Sequence, residues 1–111
     1  MNDRLPAHLE ISGMIRAVQA EGGFATVIAK GERDAGTILL VTMARDEPTR
    51  LYERMPQMDG TRRFEVTRTQ DPGDPGTFNA YLDRRRAQDD DIWIVELDIA
   101  HAERFAAVQH K

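Results

Sequence analysis

Two segments limit what this chain can fold into: TILLVTMA, residues 37–44, and IWIVELD, residues 92–98. Successive side chains of a strand face opposite sides. In the first segment Thr37, Leu39, Val41 and Met43 therefore share one face, and Ile38, Leu40, Thr42 and Ala44 the other. In the second, Trp93, Val95, Leu97 and Ile99 oppose Ile92, Ile94, Glu96 and Asp98. Strands that are apolar on both faces belong inside a sheet covered from both sides, or at a subunit interface.

The remaining elements are read around these two. AHLEI, residues 7–11, alternates and predicts a short opening strand. Ser12 is placed as the N-cap of a helix from about Gly13 to Glu21, with Ile11, Met14, Ile15 and Val18 at helical spacing and Gly22-Gly23 as its stop. FATVIA (24–29) is a strand rich in β-branched residues, and GERDAG (31–36) behind it is a turn. TRLYERM and RRFEVTR flank the turn MDG as a hairpin, with Phe64 and Val66 on one side. DPGDPG (71–76) is the strongest breaker, with Asp74 as a cap and Pro75 at the first position of a second helix. The tail from His101 is expected to form a short helix through Phe105 and Val108. These elements predict an α+β fold with a mixed, mostly antiparallel sheet of five to six strands. Two helices pack on one face, in the order β-α-β-β-β-β-α-β. The chain reads as one domain over 1–111, with loose ends at 1–6 and 106–111.

Composition excludes several functions. The net charge is −4, which argues against nucleic acid as a partner. Arg62, Arg63 and Arg68 surround only one aromatic, Phe64, whose alternation points it inward, so no stacking platform forms. No apolar run approaches the length of a membrane span, and the first residues lack a secretory h-region. Cysteine is absent, so disulfides and thiolate metal sites are excluded, and a cytoplasmic location is expected. Ser12 is the only serine, and its context EISGM is not a nucleophile elbow. His8, His101 and His110 are scattered. His101-Ala-Glu103 matches half of a zinc-deaminase pattern whose other half requires cysteine. GERDAGT has glycines at P-loop spacing but no lysine, and Glu32 and Asp34 would repel phosphate. No cofactor and no metal are expected.

The charged block in YLDRRRAQDDDIWIVELD holds the candidate site. Arg84, Arg85 and Arg86 fall in the last turn of the second helix, where cations face the unsatisfied carbonyls, and the helix should end near Gln88. Arg85 continues the Phe78, Tyr81 and Leu82 face, so its guanidinium should be partly covered and in need of a carboxylate. Glu96, which interrupts an apolar strand, is the candidate partner. Glu96 and Asp98 lie two apart on one strand and share a side. With Asp91 they offer an alternative site for magnesium or manganese.

Taken together, the stretch from Arg4 through GERDAGTILLV, with LYERM and the YLDRRR to WIVELD block, resembles the domain-of-unknown-function family numbered 1491. The resemblance spans Arg4 to about Phe105. Similar sequences more often carry an aromatic and a proline before the tryptophan, where this chain has AQDDDIW. The resemblance implies a small stand-alone bacterial protein and supplies no catalytic residues. The expected function is non-catalytic protein binding, as a homodimer or with another protein, with no membrane contact. The contact surface would combine Arg84, Arg85 and Arg86 with Tyr52 and Trp93. The alternative is a small divalent-metal-dependent hydrolase or nuclease using Glu96, Asp98 and Asp91.

Overall fold

The computed structural model describes residues 5–107. In chain order the elements are α1 (Ala7–Ala20), β1 (Phe24–Ala29), β2 (Ile38–Ala44), β3 (Glu47–Pro56), β4 (Arg62–Thr69), α2 (Pro75–Gln88), β5 (Trp93–Asp98) and α3 (Glu103–Ala107). The five strands form one sheet in the order β1-β5-β2-β3-β4. Every pairing is antiparallel except β2 with β5. The α+β class and the mixed, mostly antiparallel sheet agree with the sequence reading. No described helix is long and apolar enough to cross a membrane.

The two constraining segments become the inner neighbours β5 and β2. Of the eight largest fully buried side chains, six stand on these strands: Ile38, Leu39, Leu40, Ile94, Val95 and Leu97. Burying each such side chain stabilises the fold by roughly 1.5–3 kcal/mol. Alternation then divides the core in two. Ile38, Leu40, Trp93, Val95, Leu97 and Tyr52 pack with α1 and α3 through Ile11, Met14, Val18 and Phe105. Leu39, Val41, Leu51, Ile92 and Ile94 pack with α2 through Phe78, Tyr81 and Leu82. The helices thus cover both faces rather than one, because strands apolar on both sides leave no face that water can have.

The opening segment also differs from expectation. AHLEI is the first turn and a half of α1, not a strand. Ala7, Glu10, Ile11, Met14 and Val18 are all buried along one row, and this 3.6-residue period outweighs a five-residue alternation. Ser12 is consequently inside the helix, where its hydroxyl donates to the His8 carbonyl four residues back (2.9 Å). The cap comes from elsewhere. The Ala7 and His8 N–H groups donate to the carbonyls of Asp34 and Arg33, each at 2.9 Å. Two of the orphan donors at the helix start are thereby satisfied by a distant turn.

That turn, Gly31–Gly36, ties the fold together. The Glu32 N–H donates to the Asp91 carbonyl (3.0 Å), and the Trp93 indole N–H donates to the Glu32 carbonyl (2.7 Å). Its two glycines are explained by close approach. A Cβ on Gly31 would collide with the Asp91 and Ile92 backbone, and one on Gly36 would sit 2.7 Å from the Glu32 carbonyl and 2.8 Å from the Trp93 ring. At the other end of the chain, α2 starts at Pro75 and ends at Gln88 as expected, and α3 passes through Phe105. Val108 lies outside the described residues.

Gly31→Ala is expected to cost about 1–3 kcal/mol through backbone overlap. Trp93→Phe, which takes the indole donor from the Glu32 carbonyl and leaves it the longer bond from the Gly36 N–H (3.2 Å), should cost about 0.5–1.5 kcal/mol. Ser12→Ala should change stability by less than about 0.5 kcal/mol, whereas loss of a true N-cap would cost about 1 kcal/mol. Urea unfolding of the three variants separates these outcomes.

Candidate functional site

The arginine block is built into the α2–sheet contact. Phe78, Tyr81, Leu82 and Arg85 descend one face of α2 toward β3. There Arg85 forms an ion pair with Glu53, not with Glu96. The reason is strand order: β2 separates β5 from β3, and the end of α2 lies over the β3 side. Glu53 Oε2 also accepts from the Thr67 hydroxyl (2.7 Å) and the Tyr81 hydroxyl (3.0 Å), and Arg85 Nη1 lies 3.0 Å from that same tyrosine oxygen. The guanidinium of Arg68 stacks 3.9 Å above the Tyr81 ring. Arg84 and Arg86 remain exposed.

This network holds its charges in one state. Burial pushes the Glu53 pKa up, but hydrogen bonds from Arg85, Thr67 and Tyr81 more than offset that, and the net shift is downward. Arg85 is shifted upward: burial opposes this, and the bonds to Glu53 and Tyr81 outweigh it. A carboxylate that accepts from three donors makes a poor general base. The adjoining cleft of about 290 Å³ is lined by Arg68, Thr69, Asp71, Asp74, Thr77 and Phe78. Its two aspartates are committed to their own turn: Asp71 accepts from the Gly73 N–H (2.8 Å), and Asp74 from the Thr77 hydroxyl (2.6 Å).

Tyr52 and Trp93 are not available as surface anchors. They are 8% and 5% exposed and belong to the core under α1 and α3. The odd-numbered face of β5 is covered, so its tryptophan is covered with it. Glu96 and Asp98 do share a side of β5, opposite the face that packs on α1, but Asp91 does not join them. It lies five residues before Glu96 along nearly extended chain, about 16 Å away, and its carbonyl and amide serve the turns at that end. The three-carboxylate metal site is not assembled.

Sequence reading missed three features. Glu10 occupies the buried row of α1 and pairs with Arg54 of β3, whose guanidinium also lies 4.5 Å from the Phe64 ring centroid. A charged residue in an apolar helical row was the available signal. The second feature is the edge strand β1, where Phe24, Val27 and Ile28 are 71%, 39% and 46% exposed. The third joins distant residues: Glu47 opens β3, Glu103 opens α3, and the His101 imidazole lies 3.9 Å from both carboxylates. His110 lies outside the described residues.

Glu53→Gln is expected to lose about 1–3 kcal/mol at neutral pH by stranding Arg85, while Glu96→Gln should change stability by less than about 0.5 kcal/mol. Because the folded-state pKa of Glu53 is lowered, its contribution is complete above the ordinary value of 4.5 and fades as pH falls from there toward the shifted value. Unfolding free energy measured across that acid range should fall more steeply in the wild type than in Glu53→Gln.

No curated protein matches the sequence. Among solved structures, the chain is similar to a DUF1491 family protein from Caulobacter crescentus CB15 known from a crystal structure. The identity is 31% with a TM-score of 0.78, covering 92% of this chain and 94% of that one. It is also similar to protein Atu0922 from A. tumefaciens, solved in solution, at 32% identity and a TM-score of 0.75, covering 97% and 98% of the two chains. An NMR structure of a DUF1491 family protein from Caulobacter crescentus CB15 matches at 30% identity, a TM-score of 0.74 and 92% of each chain. A family model described as a protein of unknown function, DUF1491, matches residues 5–107. The chain belongs to the DUF1491 family.

Proposed function

We propose that this protein is a non-catalytic protein-binding domain that pairs with a second copy of itself through the open edge of β1. The observation that carries this reading is the contrast between the two edges of the sheet. The β4 edge is guarded by Arg62, Arg63, Glu65 and Arg68. The β1 edge, FATVIA, has no charge and no proline, and it presents Phe24, Val27 and Ile28 to solvent. Natural sheets protect open edges with charges, prolines or a covering element, and an unprotected apolar edge is a template for another strand. Here the protection is limited to a register irregularity between Val27 and Ala29.

A second copy suits this edge better than a charged partner strand. Antiparallel self-pairing about a two-fold axis brings together two segments without a charged residue, so no like charges meet. A subunit interface over a face of β2 and β5 is not needed, because helices cover both faces. Arg84 and Arg86, exposed on α2, are then available to contacts at the rim or to a further protein. The cysteine-free sequence suits the reducing cytoplasm.

Sedimentation equilibrium should return twice the 12.6 kDa chain mass. The double variant Phe24→Lys/Ile28→Lys should sediment as a monomer with its melting temperature nearly unchanged, since both side chains already face water. A wild-type protein that stays monomeric at its highest attainable concentration, or a double variant that stays dimeric, refutes the β1 reading.

A further inference from the structure

We infer that the β4 edge, together with the guanidinium groups of Arg68 and Arg84, is a docking site for an extended acidic segment of a partner protein. Tyr81 organises the site. The Arg68 guanidinium stacks 3.9 Å above its ring centroid, and those of Arg84 and Arg85 lie 5.8 Å from the same point. Arg85 is occupied by Glu53, but Arg68 and Arg84 are exposed and form no ion pair among the described residues. Glu53 cannot answer them, because its oxygens already accept from Arg85, Thr67 and Tyr81. Stacking on an aromatic face leaves the N–H edge of a guanidinium free for a carboxylate. A group already held in place also loses less freedom on binding.

A second feature points to a peptide strand. β4 ends the sheet, so its outer N–H and C=O groups have no strand neighbour among the described residues. Arg68 is paired across the ladder with Leu51, whose side chain packs under α2, so Arg68 stands on the α2 face. Every second side chain of a strand added to β4 would face that side, and an acidic one beside Arg68 meets its guanidinium. Arg62 and Arg63 extend the positive charge to the start of β4, and Glu65 accepts from Gln57 Nε2 (2.9 Å). The charges that keep two copies of β4 apart are therefore those that receive a strand of opposite sign.

Neighbouring groups limit the ligand. The cleft that Arg68 lines also carries Asp71 and Asp74, which repel a second anion there. A segment with separated carboxylates suits this edge, whereas the closely spaced phosphates of a nucleic acid do not. The site shares no residue with β1 and can stand or fall without it.

The test is fluorescence anisotropy with a labelled peptide of about six residues, alternating glutamate with valine, titrated with the full chain. Binding should weaken about ten-fold or more when glutamine replaces the glutamates of the peptide, and by a similar factor in Arg68→Gln/Arg84→Gln. Both arginines are exposed and outside ion pairs, so this variant should fold, which its melting temperature checks. Hydrogen exchange of the outward β4 amides should slow in the complex. The Phe24→Lys/Ile28→Lys variant should bind the peptide as the wild type does, which separates this site from β1 pairing. Absence of binding at millimolar concentration overturns the proposal, and so does full affinity in the arginine variant. Unchanged exchange along β4 overturns the added strand. Tighter binding of an oligothymidylate than of the peptide, lost in the same arginine variant, overturns the peptide in favour of nucleic acid.

Discussion

The hydrogen bond from the Trp93 indole to the Glu32 carbonyl (2.7 Å) is the point from which the rest of the architecture can be traced. It seats the first residue of β5 against the turn that joins β1 to β2, and these are the strands that flank β5. The same turn accepts the first N–H groups of α1, so one six-residue loop positions the central strand and the helix that covers it. The loop can come this close only because positions 31 and 36 have no side chain. The spacing that looks like half of a phosphate loop is thus spent on a neighbouring carbonyl, Asp91, instead of a ligand.

Burial on both sides of β2 and β5 then dictates the placement of the helices. Neither face of these strands tolerates water, so α1 with α3 and α2 must divide between them. α1 and α2 each bring one buried or half-buried charge to β3, and each charge meets an opposite one: Glu10 meets Arg54 on one face, and Arg85 meets Glu53 on the other. Replacing such pairs by apolar residues can be neutral, but removing one partner is costly, so they act more as selectors of helix register than as sources of stability. Residues 53 and 54 face opposite sides of the sheet, and a one-residue slip of β3 would present each helix with the wrong sign of charge.

How much of this was legible depends on the range of the interaction. The strands, the Pro75 start and Gln88 end of α2, and the half-covered state of Arg85 follow from neighbours a few residues apart, and the sequence reading placed them. The partner of Arg85 depends on strand order, which local patterning does not contain, so Glu96 was named where Glu53 stands. The opening of α1 failed for a related reason. AHLEI satisfies both a two-residue and a 3.6-residue period, and the choice is made by Val18, eleven residues beyond Ala7, together with a cap supplied from residues 33 and 34. Glu47, His101 and Glu103 could not be grouped at all from sequence, because the fold brings the start of β3 beside the start of α3.

The distribution of satisfied and unsatisfied groups separates the possible roles of the surface. Catalytic acids and bases need a proton affinity near the working pH and an open coordination position. Glu53, Asp71 and Asp74 spend their oxygens on internal donors, and Glu10 is buried against Arg54. Among the described residues, the main-chain edge and the apolar side chains of β1 stay open. Such an edge can satisfy itself by pairing with another strand, since hydrogen bonds along an edge are complete only when a neighbour is present.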